Sequence, residues 1–405
     1  MLGNKISAVL VVVKDLATQC VFRFLSFMFD VRYAITDGNE SSFDNEGREH
    51  IELDDYESTV SVDSTVYSNI YKECKQDEWD AENEIITSQY SYHADILEHA
   101  KVFTNGYSHV SVYDKNGCLV PDYSWHKSLK PIRKLYRKPI LTYPGRTLHL
   151  SNMAEAIKGN FAHWLIDVLS RYILVSDRCK VSLDIDNLLI PAGVPAFRDC
   201  IDALGISQFN IIEMPCGSCV EFEELICTTK PRGHNSNICP GWIIDGYRSR
   251  VAPIIPANSD KYKNIYISRR DAASRKFNQE EELIERLEAL GFTSIELSQY
   301  SLSEKAGVFA TAERIISMSG AGMVSTIFCN PGTKIIELYP SNFVNYLYSS
   351  MSTYLGLSHY PYVFAVDTEK NRVNPFVGNF DIDVDQMISF IESTNTSQQR
   401  LENVG

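Results

Sequence analysis

Arg314-Ile-Ile-Ser-Met318, Ser319-Gly-Ala-Gly322, Met323-Val-Ser-Thr-Ile-Phe-Cys329, Asn330-Pro-Gly332 and Thr333-Lys-Ile-Ile-Glu337-Leu-Tyr-Pro340 run on without a break. The two Ile-rich ends read as buried parallel strands. Between them there is room for a two-turn helix but not for a full crossover. Gly320 and Gly322 fall where the first strand hands over to that helix. A missing Cβ there lets a ligand approach the backbone, and a helix N-terminus favours an anion. Asn330-Pro331-Gly332 ends the helix, because proline cannot continue it. Glu337 then stands near the C-terminal end of the second strand, the side on which open α/β sheets bind ligands. Two readings follow: a nucleotide pocket with Glu337 accepting from sugar hydroxyls, or a tight turn with a surface glutamate.

Working back toward the N-terminus, Asn264-Ile-Tyr-Ile267 reads as a strand that ends in Ser268-Arg269-Arg270-Asp271. Two arginines at a strand tip, with Arg275 close by, can clamp a diphosphate through charge-assisted pairs; the plainer alternative is a solvated basic turn. A helix capped by Asn278, with Glu281 at N3 and Gly291 at its end, carries the apolar stripe Leu283, Ile284, Leu287 and Leu290. The strand Thr293–Leu297 and a helix from Ser303 lead into Arg314. This half is therefore expected to be a doubly wound sheet, with the arginines and the glycine turn at the same strand ends. Asp381, Asp383 and Asp385 read as the solvated start of a final amphipathic helix.

The other half reads as βαβ patterning: Asn187–Pro191, helix-like Val194–Leu204, Asn210–Met214 and Glu221–Ile226. Ahead of it, Val102–Asp114 alternates as a strand, and Lys115-Asn116-Gly117 turns it back on Cys118-Leu-Val120. Tyr143-Pro-Gly145 reads as a turn before a short strand, Arg146–Leu150. The segment from Gly159 to Tyr172 places His163, Asp167 and Arg171 at i, i+4 and i+8 of a helix, beside an apolar face of Trp164, Leu165, Val168 and Tyr172. Ionisable groups on such a helix are costly to bury without purpose. A histidine four residues from an aspartate is a candidate base with its orienting carboxylate. It is equally a core histidine satisfied by Asp167, with Arg171 on the surface.

The whole chain sets limits. Its 405 residues suffice for two or three domains, and 44% hydrophobic with 22% charged residues is a globular composition. A net charge of −14 argues against a nucleic-acid partner. The ten cysteines lack disulfide-scaffold spacing, which predicts free thiols and a reducing, cytoplasmic setting. Cys216-Gly-Ser-Cys219 has no second pair to complete a zinc site. No stretch reaches the ~20 apolar residues of a membrane span. Ile6–Val13 and the phenylalanines after it fit either an interfacial helix or buried elements, and with the basic cluster Lys127–Lys138 they leave a peripheral membrane contact open. Residues 37–84 read as an acidic loop or insertion. Domain borders are expected at 1–100 (extension), 101–251 (first α/β domain), 252–262 (linker), 263–365 (second α/β domain) and 366–405 (tail).

Asn160-Phe-Ala-His163-Trp-Leu-Ile-Asp167-Val-Leu-Ser-Arg171, Tyr266-Ile-Ser-Arg269-Arg270 and Gly320-Ala-Gly322 through Glu337-Leu338 together resemble glycosyltransferase family 61 over about 146–362. The resemblance implies a GT-B-like α/β fold, two Rossmann-type domains facing a central cleft. It implies an inverting, metal-independent transfer from a nucleotide sugar, with no further cofactor. Relatives use UDP-linked xylose, arabinose or N-acetylglucosamine, so a UDP-sugar donor and a glycan or glycoconjugate acceptor are implied, as in polysaccharide or capsule assembly. On this footing His163 or Asp167 is the catalytic base. Arg171, Arg269, Arg270, Ser319, Gly320, Ala321, Gly322 and Glu337 hold the donor. Two positions depart from the family pattern: Ser319 stands where a histidine is common, and Ser170 where a proline is common. The alternative is a binding or scaffold protein on the same fold with a degenerate donor site.

Overall fold

The computed structural model describes residues 47–61, 78–80, 85–104, 109–126, 141–151, 159–191, 198–214, 218–233, 235–272, 274–366 and 378–402. The apolar N-terminus, the basic cluster 127–138 and Cys216 lie outside them. In chain order the strands are β1 (Arg48–Glu52), β2 (Tyr56–Ser61), β3 (Glu78–Asp80), β4 (Ile85–Tyr90), β5 (His93–Thr104), β6 (His109–Tyr113), β7 (Trp125–His126) and β8 (Thr142–His149). They continue as β9 (Asn187–Ile190), β10 (Asn210–Glu213), β11 (Cys219–Thr228), β12 (Asn264–Ile267), β13 (Thr293–Ile295), β14 (Arg314–Met318), β15 (Lys334–Pro340) and β16 (Ser358–Phe364).

The C-terminal half follows its sequence closely. Its five strands are all parallel in the order β13-β12-β14-β15-β16, a doubly wound sheet. The strands alternate between two cores. Ile265, Ile267, Ile315, Ile335 and Tyr339 face one, and Tyr266, Ile316, Met318, Ile336 and Leu338 face the other, which Leu283, Leu287, Met387 and Ile391 complete. The helix before β13 begins one residue later than its expected cap, at Glu280 behind Gln279, and no side chain caps it. The segment after the glycine turn is a 3-10 helix, Ala321–Phe328, and not an α-helix. Its i→i+3 bonds give a longer rise per residue, which suits a short connection between neighbouring strands.

The other half departs further. An eight-stranded mixed sheet has the order β10-β9-β8-β11-β5-β6-β7, with β1 also on β5. Its β10-β9-β8-β11 part is parallel, as the βαβ pattern predicts, but β5, β6, β7 and β1 are joined antiparallel. The expected border at residue 100 falls inside β5, and the expected loop 37–84 contributes β1, β2 and β3 among its described residues. Tyr143-Pro144-Gly145 is not a turn but part of β8, where Gly145 (φ 75°) marks a register shift against β11. No described helix is long and apolar enough to cross a membrane.

One apolar cluster joins the halves. It runs from Leu148, Leu165 and Ile243 on one side to Ile265, Met323, Ile327 and Met351 on the other. Of residues 251–258 only Val251 belongs to this cluster, and Ile254 and Ile255 are exposed. Ile254 donates its N–H to Ser303 O (2.9 Å) and lies against the helix Leu302–Thr311 at Gly307. A Cβ on Gly307 would fall on the Ile254 carbonyl oxygen. Glycine to alanine inside a helix ordinarily stabilises by up to about 1 kcal/mol. Gly307→Ala should instead destabilise by about 1–3 kcal/mol, read as a lower midpoint in urea unfolding; an unchanged or raised midpoint would contradict this packing.

Candidate active site

His163 and Asp167 sit on a helix that spans 161–178. Asn160 caps its start: Oδ1 accepts from Ala162 N (3.1 Å) and His163 N (3.3 Å). At Trp164–Leu169 the helix widens to a π turn, a local form that recurs at functional sites. The first turn packs against the 3-10 helix Ala321–Phe328, so His163 lies beside the segment that follows the glycine turn.

Asp167 is only 5% exposed, and both of its carboxylate oxygens are engaged. Oδ1 accepts from Arg232 Nε (2.8 Å). Oδ2 accepts from Arg232 Nη2 (2.6 Å) and lies 2.6 Å from His163 Nδ1. Burial pushes the Asp167 carboxyl up, but the Arg232 charge and the hydrogen bonds outweigh it and hold the group well below the usual carboxylate range. An ionised Oδ2 requires the proton of a neutral His163 ring on Nδ1, which leaves Nε2 as the acceptor. His163 is half-buried, so this edge can meet a substrate hydroxyl, whereas Asp167 has no free oxygen to offer.

Arg232 was not among the candidates read from sequence. It lies 65 residues from Asp167 in a loop after β11, where no local spacing links the two. Arg171 was expected at the donor and is elsewhere. It is 1% exposed and donates to the backbone oxygens of Asp167 (2.9 Å) and Thr228 (2.8 Å) and to Thr228 Oγ1 (2.9 Å). Burial lowers its pKa to about 10. It ties the helix to β11, and sequence could not tell a buried arginine bonded to carbonyls from one facing a phosphate.

The second group surrounds the glycine turn. Glu280 is buried at the start of its helix and accepts from Tyr266 Oη (3.1 Å), Ser268 Oγ (3.1 Å) and Arg269 N (2.8 Å), which fixes the end of β12. Arg269 folds back, donates Nη2 to Ser274 O (2.8 Å), and lays its guanidinium against Gly320. A Cβ on Gly320 would come within 2.5 Å of Arg269 Nη1. At Gly322 a Cβ would meet Leu297 Cδ1 at 2.7 Å. These glycines thus admit an arginine and a leucine, a different use from the expected approach of a ligand to bare backbone.

Arg275 completes this group. Its backbone is left-handed (φ 59°), a conformation uncommon outside glycine, and its Nη1 donates to Ser319 O (3.1 Å). Neither Arg269 nor Arg275 has an ion-pair partner among the described residues, and the Nε of each is buried without a hydrogen bond. Burial, and for Arg269 the neighbouring charge of Arg275, lowers both pKa values, that of Arg269 to about 10. Two half-buried cations side by side, neither ion-paired among the described residues, can take an anion. Arg270, expected as the second clamp, turns out to the surface and pairs with Glu281 (Nε to Oε1, 2.9 Å).

Ser319 is buried and Ala321 half-buried in the turn itself. Glu337 is not on the surface. It is fully buried on the sheet face that also carries Ile335 and Tyr339, with Oε2 3.0 Å from His359 Nε2 and Oε1 without a partner. Tyr348 connects the two groups: it donates its hydroxyl to Gly320 O (2.7 Å), and it feels the charges of Glu337, Arg275 and Arg232.

A third cluster, His50, His93 and Asp95, brings metal-ligand atoms within 4.8 Å of one another. Asp95 already accepts from Arg48 (2.6 Å), Tyr123 and His50 (2.7 Å). A cation would face the Arg48 guanidinium, so the cluster reads as an ion-pair network.

The Asp167–Arg232 pair has a stability signature. A carboxyl held below its ordinary pKa stabilises the fold above the unfolded value, and that contribution is lost as pH falls through the folded value. Arg232→Met leaves Asp167 buried without its main partner and should cost about 3–5 kcal/mol at neutral pH. The gap between variant and wild type should close as pH falls below about 4. Urea unfolding at pH 7, 5 and 3 measures this, and a gap independent of pH would contradict the ion pair.

Comparison with known proteins supplies the family. No curated protein matches the chain. Among solved structures, the crystal structure of a bacterial iron-containing dodecameric glycosyltransferase, TibC from enterotoxigenic E. coli H10407, aligns over 63% of this chain and 78% of that one. Identity is 10% and the TM-score 0.26, too low a likeness to bear on this chain. The family model described as Glycosyltransferase 61 matches residues 161–336, the span that holds His163, Asp167, Arg232, Arg269, Arg275 and the glycine turn. Over those residues, this chain carries a domain of glycosyltransferase family 61.

Proposed function

We propose that this protein is an inverting glycosyltransferase that moves a sugar from a nucleotide-sugar donor, UDP-linked, to a hydroxyl of a glycan or glycoconjugate in polysaccharide assembly. The observation that carries the reading is a pair of arginines with no ion-pair partner among the described residues, Arg269 against Gly320 and Arg275 on Ser319 O, next to a helix that presents His163. The diphosphate lies on these arginines, and Ser319 to Gly322 line its turn. The acceptor oxygen attacks the anomeric carbon while its proton passes to His163 Nε2. The bond from that carbon to the diphosphate oxygen breaks, and the departing oxygen takes the electron pair under the two guanidinium charges. A single displacement inverts the anomeric centre. Asp167 orients and does not attack, because Arg232 and His163 hold both its oxygens.

In this reading residues 101–251 provide the acceptor side and 263–365 the donor side, in a GT-B-like arrangement across a cleft. Buried free cysteines such as Cys200, Cys227 and Cys329 favour a reducing compartment, and we place the protein in the cytoplasm. A non-catalytic binding protein is the second reading, favoured by Ser319 in the place of the family histidine. Titration with UDP-, GDP- and CMP-sugars separates the two, since a protein with a degenerate donor site binds none.

The two groups should separate in kinetics. Arg269→Ala and Arg275→Ala should each weaken binding of UDP by about 1.5–3 kcal/mol, the scale of a hydrogen bond to a charged group. Arg270→Ala, which breaks only a surface pair, should leave binding within about 1 kcal/mol of wild type. His163→Ala should lower kcat about 10²–10⁴-fold with UDP affinity nearly unchanged. Equal effects of all three arginines, or normal turnover without His163, would contradict these assignments.

Turnover should also survive EDTA. Two guanidinium groups supply the charge neutralisation that a divalent ion gives elsewhere. Loss of activity in EDTA, restored by Mg²⁺ or Mn²⁺, would overturn the metal-independent reading.

A further inference from the structure

Arg232 takes no part in bond making in this scheme, yet three of its nitrogens have defined acceptors. It is 5% exposed; Nε and Nη2 grip the two oxygens of Asp167, and Nη1 donates to Ser236 O. His163 Nδ1 and Arg232 Nη2 converge on the same oxygen, Asp167 Oδ2, each at 2.6 Å. A guanidinium fork fixes the plane of the carboxylate it grips, and that plane fixes the imidazole hydrogen-bonded to it.

The loop that carries Arg232 is itself held. Pro231 O accepts from Tyr92 Oη (2.8 Å), and the Tyr90 ring lies over Gly233, whose φ of 53° needs glycine. Asn235 Nδ2 donates to Tyr346 Oη (3.0 Å), and Cys239 N donates to Ser350 Oγ (3.2 Å). Tyr346 and Ser350 lie a turn apart at the start of the helix Leu347–Leu355. Tyr348, between them in sequence, reaches the other way to Gly320 O (2.7 Å). The loop bearing Arg232 and the turn bearing the arginine clamp are therefore hung from one helix.

We propose that Arg232 is a positioning residue for glycosyl transfer: it sets His163 with Nε2 toward the acceptor hydroxyl. Through Leu347–Leu355 it keeps that ring in register with the donor turn. The proposal rests on the glycosyltransferase reading for its kinetic consequence, but the state of the His163 ring is observable without turnover. Lysine keeps the charge of Arg232 and loses the fork.

The test compares wild type, Arg232→Lys and Tyr346→Phe by ¹⁵N NMR of histidine-labelled protein and by steady-state kinetics. The His163 signal is assigned by its loss in His163→Ala. At about pH 9, where an ordinary histidine is neutral, wild-type His163 should be the Nδ1–H tautomer alone, and Arg232→Lys should show a mixture. With a UDP-sugar that wild type turns over, Arg232→Lys should lose about 10- to 100-fold in kcat with KM within about twofold. Tyr346→Phe, which removes the bond to Asn235, should lower kcat several-fold at unchanged KM. Should Arg232→Lys not fold, Tyr346→Phe, which leaves Asp167 and its charge partner in place, carries both readouts.

A single tautomer retained in the Arg232 variant, or kcat within twofold of wild type, would overturn the proposal. A wild type that turns over no nucleotide sugar, yet whose tautomer depends on Arg232, would overturn the transferase reading and leave the positioning role standing.

Discussion

A carboxylate buried at the junction of the two halves must have a cation, and the candidate site is arranged around how Asp167 finds one. An ionised group at 5% exposure would be far too costly alone. Arg232 supplies the charge through a two-point grip, and the loop carrying it is fastened to the connection between β4 and β5 by Tyr92 and to the helix Leu347–Leu355 by Asn235 and Cys239. Because the carboxylate is then saturated, the only group of this cluster left to exchange a proton with a substrate is the outer edge of His163. The helix obliges by widening into a π turn at Trp164–Leu169, where Asp167 sits.

The arginine group at the glycine turn, the proposed donor site, is built on the opposite electrostatic logic. Arg269 and Arg275 are crowded together and half-buried, neither has an ion-pair partner among the described residues, and burial lowers the pKa of each. Such an arrangement is destabilising until an anion arrives. Glu280 holds the end of β12 through three bonds, from the Tyr266 and Ser268 hydroxyls and from the Arg269 N–H. Gly320 contributes by leaving room for the guanidinium. Catalysis by charge stabilisation depends on charges fixed in advance, and these contacts fix them.

Much of this was legible in the sequence, though unevenly. The parallel sheet of the C-terminal half, its strand ends and the glycine turn follow from hydrophobic period and breakers, which are local signals. The i, i+4 spacing put His163 and Asp167 on one face, and they meet at 2.6 Å. The arginines were read at the right strand tip, but the division of labour among them was not. Arg270 and Arg275 are both basic residues near the same turn. Only the left-handed backbone at Arg275 and the position of Glu281 decide that one points inward and the other to solvent. The pairings of β5 with β11 and of β1 with β5 join segments far apart along the chain, so alternation alone could not choose them.

The sequence by itself determined the local grammar: which segments are strands or helices, where they stop, and which short motifs belong to the family. Helix caps, glycine turns and hydrophobic stripes act over a few residues, so they are written in consecutive positions. The tertiary structure alone decided which charges meet. Arg232 reaches Asp167 across 65 residues, and Tyr348 reaches Gly320 across 28. Glu337, read from sequence as either a donor contact or a surface residue, is fully buried beside His359. Electrostatic partnership is a matter of distance and burial in three dimensions, and neither is encoded in the spacing of residues along the chain.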